Sequence, residues 1–133
     1  MKSTILLDSG VISLYQSNHK EVFREIKTMK KNQYNFISSE VNYIELFNHL
    51  CRKKGKINAQ VIMENLRQGS MIKFIPISEK ISILAGELKC KYKSLSIVDA
   101  IIIAEALTRN IIIFTTESHF SDIENLKVKK IDF

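Results

Sequence analysis

Short apolar runs rich in β-branched residues recur along this chain, and amphipathic stretches with helical spacing fill the gaps between them. The runs are 3–7 (STILL), 34–37 (YNFI), 71–75 (MIKFI) and 111–114 (IIIF), with a lysine-rich fifth at 127–131 (KVKKI). Between them, helices are expected over 10–16, 19–31, 38 or 39 to 53, 57–67, 78–91 and 96–108. Val22, Phe23, Ile26 and Met29 form the apolar stripe of the 19–31 helix. Val61, Ile62 and Leu66 form that of 57–67, and Ile81, Leu84, Ala85 and Leu88 that of 78–91. Strands that alternate with helices cannot pair as hairpins. They pair in parallel, with the helices crossing over the sheet. The expectation is one α/β domain over 1–133, with a mostly parallel sheet of four to five strands and helices on both faces. The lysines of 127–131 suit an edge strand.

In such a sheet, ligands bind beyond the carboxyl ends of the strands. The residues there are acidic. The first run stops at Asp8, in "TILLDSGVIS". Glu117 follows the fourth, in "FTTESHF". Asp99 opens the helix before that strand, and Glu45 lies about two turns into the helix after the second. Each has an ordinary alternative. Asp8 suits a helix N-cap. Asp99 sits three residues past Ser96, at capping-box spacing. Glu45 shares a polar stripe with Asn42, His49 and Arg52, and Glu117 reads as a loop acid.

Convergence of the four would be a different matter. Carboxylates about 5 Å apart repel by roughly 3 kcal/mol per pair at an effective dielectric near 20. Such a cluster either takes up protons or holds a divalent cation, and hard oxygen donors suit Mg²⁺ or Mn²⁺ rather than Zn²⁺. At least one of these acids is therefore expected to titrate above its ordinary value near 4.

These residues fall in four stretches that resemble, in order, the motifs of PIN-domain nucleases, close to the toxins of VapBC toxin–antitoxin modules. "ILLDSGVISL" resembles the first motif, with Gly10 where the family usually carries asparagine. "SEVNYIEL" resembles the second, "LSIVDAIIIAEAL" the third, and "IIIFTTESHF" the fourth, with Glu117 in place of the usual aspartate and Asp122 nearby as a substitute. The resemblance implies a Mg²⁺- or Mn²⁺-dependent ribonuclease. Asp8, Glu45, Asp99 and Glu117 would be the metal ligands, with Thr115 and Ser9 as supporting hydrogen-bond donors. It also implies RNA as substrate, an antitoxin protein as partner, a homodimer and a cytoplasmic location. A PIN domain that binds RNA without cutting it, and an RNA-processing nuclease with no antitoxin, are the other functions it allows. His49 and His119 are read as surface histidines.

The rest of the sequence is compatible with this. Among 133 residues the formal net charge is +6, which favours a polyanionic partner. "CRKKGK" (51–56) and "KCKYK" (89–93) are read either as helix C-termini favoured by the dipole or as a phosphate-contacting rim, with Tyr92 half-buried or stacking on a base. Cys51 and Cys90 are isolated and read as reduced core residues. No apolar run reaches the roughly 18 residues of a membrane span, and the start lacks the pattern of a signal peptide. A haloacid-type phosphatase needs D-x-D where this chain has Asp8-Ser9-Gly10. A phosphoacceptor receiver needs an aspartate where it has "IPIS" (75–78).

Overall fold

The computed structural model describes residues 3–132. Strand β1 (Thr4–Leu7) leads into helices α1 (Ser9–Gln16) and α2 (Lys20–Lys31). Strand β2 (Asn35–Ser39) is followed by α3 (Glu40–Lys54) and α4 (Lys56–Gln68), and β3 (Ile72–Ile75) by α5 (Glu79–Lys91) and α6 (Ile97–Arg109). Strand β4 (Ile112–Thr115), a 3₁₀ turn at His119–Asp122 and β5 (Lys127–Lys130) complete the described chain. All five strands are parallel, in the order β3-β2-β1-β4-β5. The lysine-rich strand does lie at an edge. Chain direction across the sheet reverses between β1 and β4, so the carboxyl ends of those two strands form the crevice where such sheets bind ligands.

The pleat sends alternate side chains to opposite layers. Leu6, Ile37 and Ile113 join the layer beneath α5 and α6. Ile5, Leu7, Phe36 and Phe114 join the layer beneath α1 to α4. Helix starts follow the expected chemistry. Ser39, Ser78 and Ser96 cap α3, α5 and α6 through their hydroxyls. Gly55, at φ +87°, makes the break between α3 and α4, a backbone conformation that favours glycine.

Three features differ from the sequence reading. In α2, Val22, Ile26 and Met29 are buried, but Phe23 is partly exposed and stacks on Tyr15, with ring centroids 5.4 Å apart. In α4 the inner face is built on Ala59 and Met63, while Val61 is exposed. Helical spacing alone does not say which of two neighbouring stripes packs against the sheet. Neither cysteine is a core residue: Cys51 is half-buried, Cys90 is exposed, and both are free. Among the described residues no helix is long and apolar enough to cross a membrane.

Candidate active site

Asp8 stands at the crevice because of where β1 ends. Its backbone N–H still pairs with the Phe114 carbonyl at 3.0 Å, and its carboxylate then caps α1 by accepting the Ser9 N–H at 2.7 Å. The capping role and the site role are therefore one role. The Thr115 hydroxyl donates to the other oxygen, Oδ2, at 2.7 Å and accepts the Glu117 N–H at 3.0 Å. Thr115 is fully buried, so this contact locks the end of β4 against the end of β1. Asp8 is itself only 5% exposed. Burial pushes its carboxyl up to about 6. The Thr115 and Ser9 hydrogen bonds pull it down, and the negative charges of Asp99 and Glu45 push it further up. Burial is the largest cause of that rise, and the charges of Asp99 and Glu45 are the smallest.

Glu45 approaches from α3. The Ser9 hydroxyl donates to its Oε1 at 2.8 Å and lies 3.5 Å from Asp8 Oδ1, so Ser9 links the two acids. Asp99 approaches from the first turn of α6. Its N–H bonds to the Ser96 hydroxyl at 3.0 Å, as the capping spacing requires, yet its carboxylate does not close a capping box. It lies instead 3.2 Å from His119 Nε2. The other ring nitrogen of His119 lies 3.4 Å from Glu117 Oε2. The imidazole therefore bridges Asp99 and Glu117, and its ring stands edge-on to the buried Phe120. Asp122 is exposed on the 3₁₀ turn and makes none of these contacts. Among the described residues, no three acidic, histidine or cysteine groups are drawn into a ready metal cage. Ser9 and His119 instead occupy oxygens of Glu45, Asp99 and Glu117.

His119 is a surface residue, as the sequence reading has it, and its exposed ring also bridges two of the acids. The 3₁₀ turn that aims it has no strong sequence signature, although the spacing T-x-E-x-H was visible. Asn42, read as part of a solvated stripe, is fully buried. Its Oδ1 accepts the Ser39 N–H at 3.1 Å and lies 2.9 Å from the Ser38 hydroxyl, while its Nδ2 lies 3.5 Å from Asp8 Oδ1. The capping box of α3 thus extends into a polar strut beneath Asp8.

The basic clusters separate. Arg52, Lys53 and Lys54 lie in the last turn of α3, which also carries Glu45. In the second cluster, Lys89 donates to the Leu95 carbonyl at 3.0 Å, Lys91 pairs with Glu124 at 3.4 Å, and Tyr92 packs against the core. Tyr92 is thus half-buried, Lys89 holds the α5–α6 connection, and Lys91 ties α5 to the segment before β5.

The PIN-domain family profile matches residues 5–126. The chain belongs to the PIN-domain family. No curated protein matches it in sequence. Solved PIN-fold structures match it closely in shape. VapBC2 from Rickettsia felis, solved bound to a DNA fragment from its promoter, superposes with a TM-score of 0.81 at 20% identity, covering 97% of this chain and 99% of that one. DNA-bound VapBC from Salmonella typhimurium gives 0.77 at 18% identity, covering 98% of each. VapC20 from Mycobacterium tuberculosis, a sarcin–ricin loop cleaving toxin, gives 0.71 at 16% identity over 89% and 93%. At these identities the likeness carries the fold. In this PIN domain Asp8 and Glu45 are joined through Ser9, and Asp99 and Glu117 through His119.

Proposed function

We propose that this PIN domain is a Mg²⁺- or Mn²⁺-dependent endoribonuclease and the toxin of a VapBC-type pair, working as a homodimer and restrained by an antitoxin protein. The observation that carries the reading is a buried Asp8, its carboxyl raised to about 6 chiefly by burial, linked to Glu45 through Ser9, with Asp99 and Glu117 joined through His119. A fold that accepts this cost gains by it only if something positive arrives. The donors are carboxylate oxygens, which fit a hard divalent cation. Asp8, Glu45 and Asp99 would hold the ion, with Glu117 completing the set. The ion, when bound, supplies a Lewis acid that polarises the phosphate and offsets the charge building on it.

The remaining work belongs to the chain. Thr115 fixes Asp8 Oδ2 by its 2.7 Å hydrogen bond, so one carboxylate stays in place whatever the others do. Ser9 orients Glu45, and His119 sets the spacing of Asp99 and Glu117. Arg52, Lys53 and Lys54, at the far end of the helix that carries Glu45, attract the RNA backbone. The toxin role and the antitoxin partner draw support from the VapBC neighbours, and the RNA substrate from VapC20.

The deciding experiment incubates the purified chain with mixed single-stranded RNAs, with and without Mn²⁺ or Mg²⁺, beside Asp99→Asn. Cleavage that needs the metal and is lost in the variant supports the reading. Equal residual cleavage by both proteins would reject catalysis by this site.

A further inference from the structure

A groove of about 270 Å³ opens beside the acids, lined by Ser9, Gly10, Ser13, Glu45, Leu46 and His49. It runs between α1 and α3. Ser13 lies one turn beyond Ser9, and His49 one turn beyond Glu45, so both walls continue outward from the reacting end. Its chemistry differs from that of the acidic crevice. Apart from Glu45 at the mouth, its lining carries no fixed charge. It holds no lysine or arginine, so it is not built to seat a phosphate. Ser9 is already committed to Glu45 at 2.8 Å. The Ser13 hydroxyl and the His49 imidazole make no hydrogen bond among the described residues. At about 30 Å³ per water, the volume equals roughly nine waters, enough for a sugar with part of its base.

We propose that this groove seats the ribose of the nucleotide next to the scissile phosphate, and that Ser13 and His49 read its 2′-hydroxyl. A 2′-hydroxyl both donates and accepts hydrogen bonds, and it is the group that distinguishes RNA from DNA at a given position. A serine hydroxyl and a neutral imidazole each offer both functions too. The inference rests on the ribonuclease reading and adds to it the source of selectivity for RNA. Ser13 and His49 are specificity-determining residues here, outside the acidic set.

The test uses a single-stranded RNA oligonucleotide that the wild-type protein cuts, with versions carrying one 2′-deoxy substitution at each position in turn. His49→Ala should raise KM about tenfold, the value of one good hydrogen bond, and leave kcat within about twofold. In the wild type, one deoxy position beside the cut should raise KM by a similar factor. In the Ser13→Ala/His49→Ala protein that same position should have no further effect, because its partners are gone. A deoxy effect of undiminished size in the double variant would overturn the proposal while leaving the nuclease reading intact. A second readout is independent of cleavage: the His49 ring resonances, assigned with His49→Ala, should shift on adding the RNA and not on adding DNA of the same sequence. If the wild type cuts no RNA, the nuclease reading fails, and this shift alone decides the groove. No shift, or an equal shift with DNA, overturns it.

Discussion

Replacing Asp8 with asparagine should change how stability depends on pH, in a direction fixed by burial. In the folded chain the Asp8 carboxyl titrates at about 6, against an ordinary value of 3.8. Between these values the folded state binds a proton that the unfolded state has released. The stability linked to Asp8 is therefore fully present below about 3.8 and is lost as pH rises through about 6. At about 1.36 kcal/mol per pH unit the loss amounts to roughly 3 kcal/mol, an upper figure for one carboxyl. Asparagine cannot titrate. Its amide nitrogen must face either the Thr115 hydroxyl or the Ser9 N–H, both of which donate to Asp8, so the variant also carries a hydrogen-bonding penalty. That penalty does not vary with pH and leaves the shape of the difference untouched. Glu105, another carboxyl raised by burial, titrates equally in both proteins and cancels. Urea unfolding followed by circular dichroism from pH 4 to 8, with a chelator present, measures the difference. Wild-type stability should fall relative to Asp8→Asn by up to about 3 kcal/mol across that range. A difference flat to within about 0.5 kcal/mol would refute the argument.

Other outcomes follow from the same geometry. Thr115→Val removes the buried donor to Asp8, so it should cost about 1–3 kcal/mol and move the acid limb of the pH–rate profile upward. Mg²⁺ at a hundredfold over its Kd should stabilise the wild type by about 2.7 kcal/mol at pH 7.5, less at pH 5 where protons compete, and much less in Asp8→Asn; thermal melts measure this. Gly10→Ala sets helix propensity against contact, because a Cβ there would sit 2.7 Å from Thr116 Oγ1. The substitution should be more favourable by about 1 kcal/mol in a Thr116→Ala background, as read by a double-mutant cycle of unfolding energies.

The sequence was most legible where a pattern has only one physical use. Strand runs bounded by capping serines located the sheet and its helices, because Ser39, Ser78 and Ser96 satisfy donors that nothing else nearby can. Asp8 was legible because a charged residue directly after a buried run calls for an explanation. Helix faces were less so. Phe23 and Val61 fit the apolar spacing, but spacing cannot say which of two adjacent stripes meets the sheet. Polar residues were least legible. Asn42 and Glu45 are three positions apart on the same polar stripe, yet one is fully buried beneath the site and the other faces the crevice. Only the approach of β1 distinguishes them. His119 depended on a 3₁₀ turn whose only marks are Phe120 and a spacing.

The pair that fixes the crevice, Asp8 and Thr115, is separated by 107 positions along the chain. A polypeptide emerging from the ribosome offers the first partner almost at once and the second only near completion. Every product that stops before the end of β4 therefore lacks the clamp, and with it a fixed centre. Delayed assembly of that centre is a consequence written into the strand order.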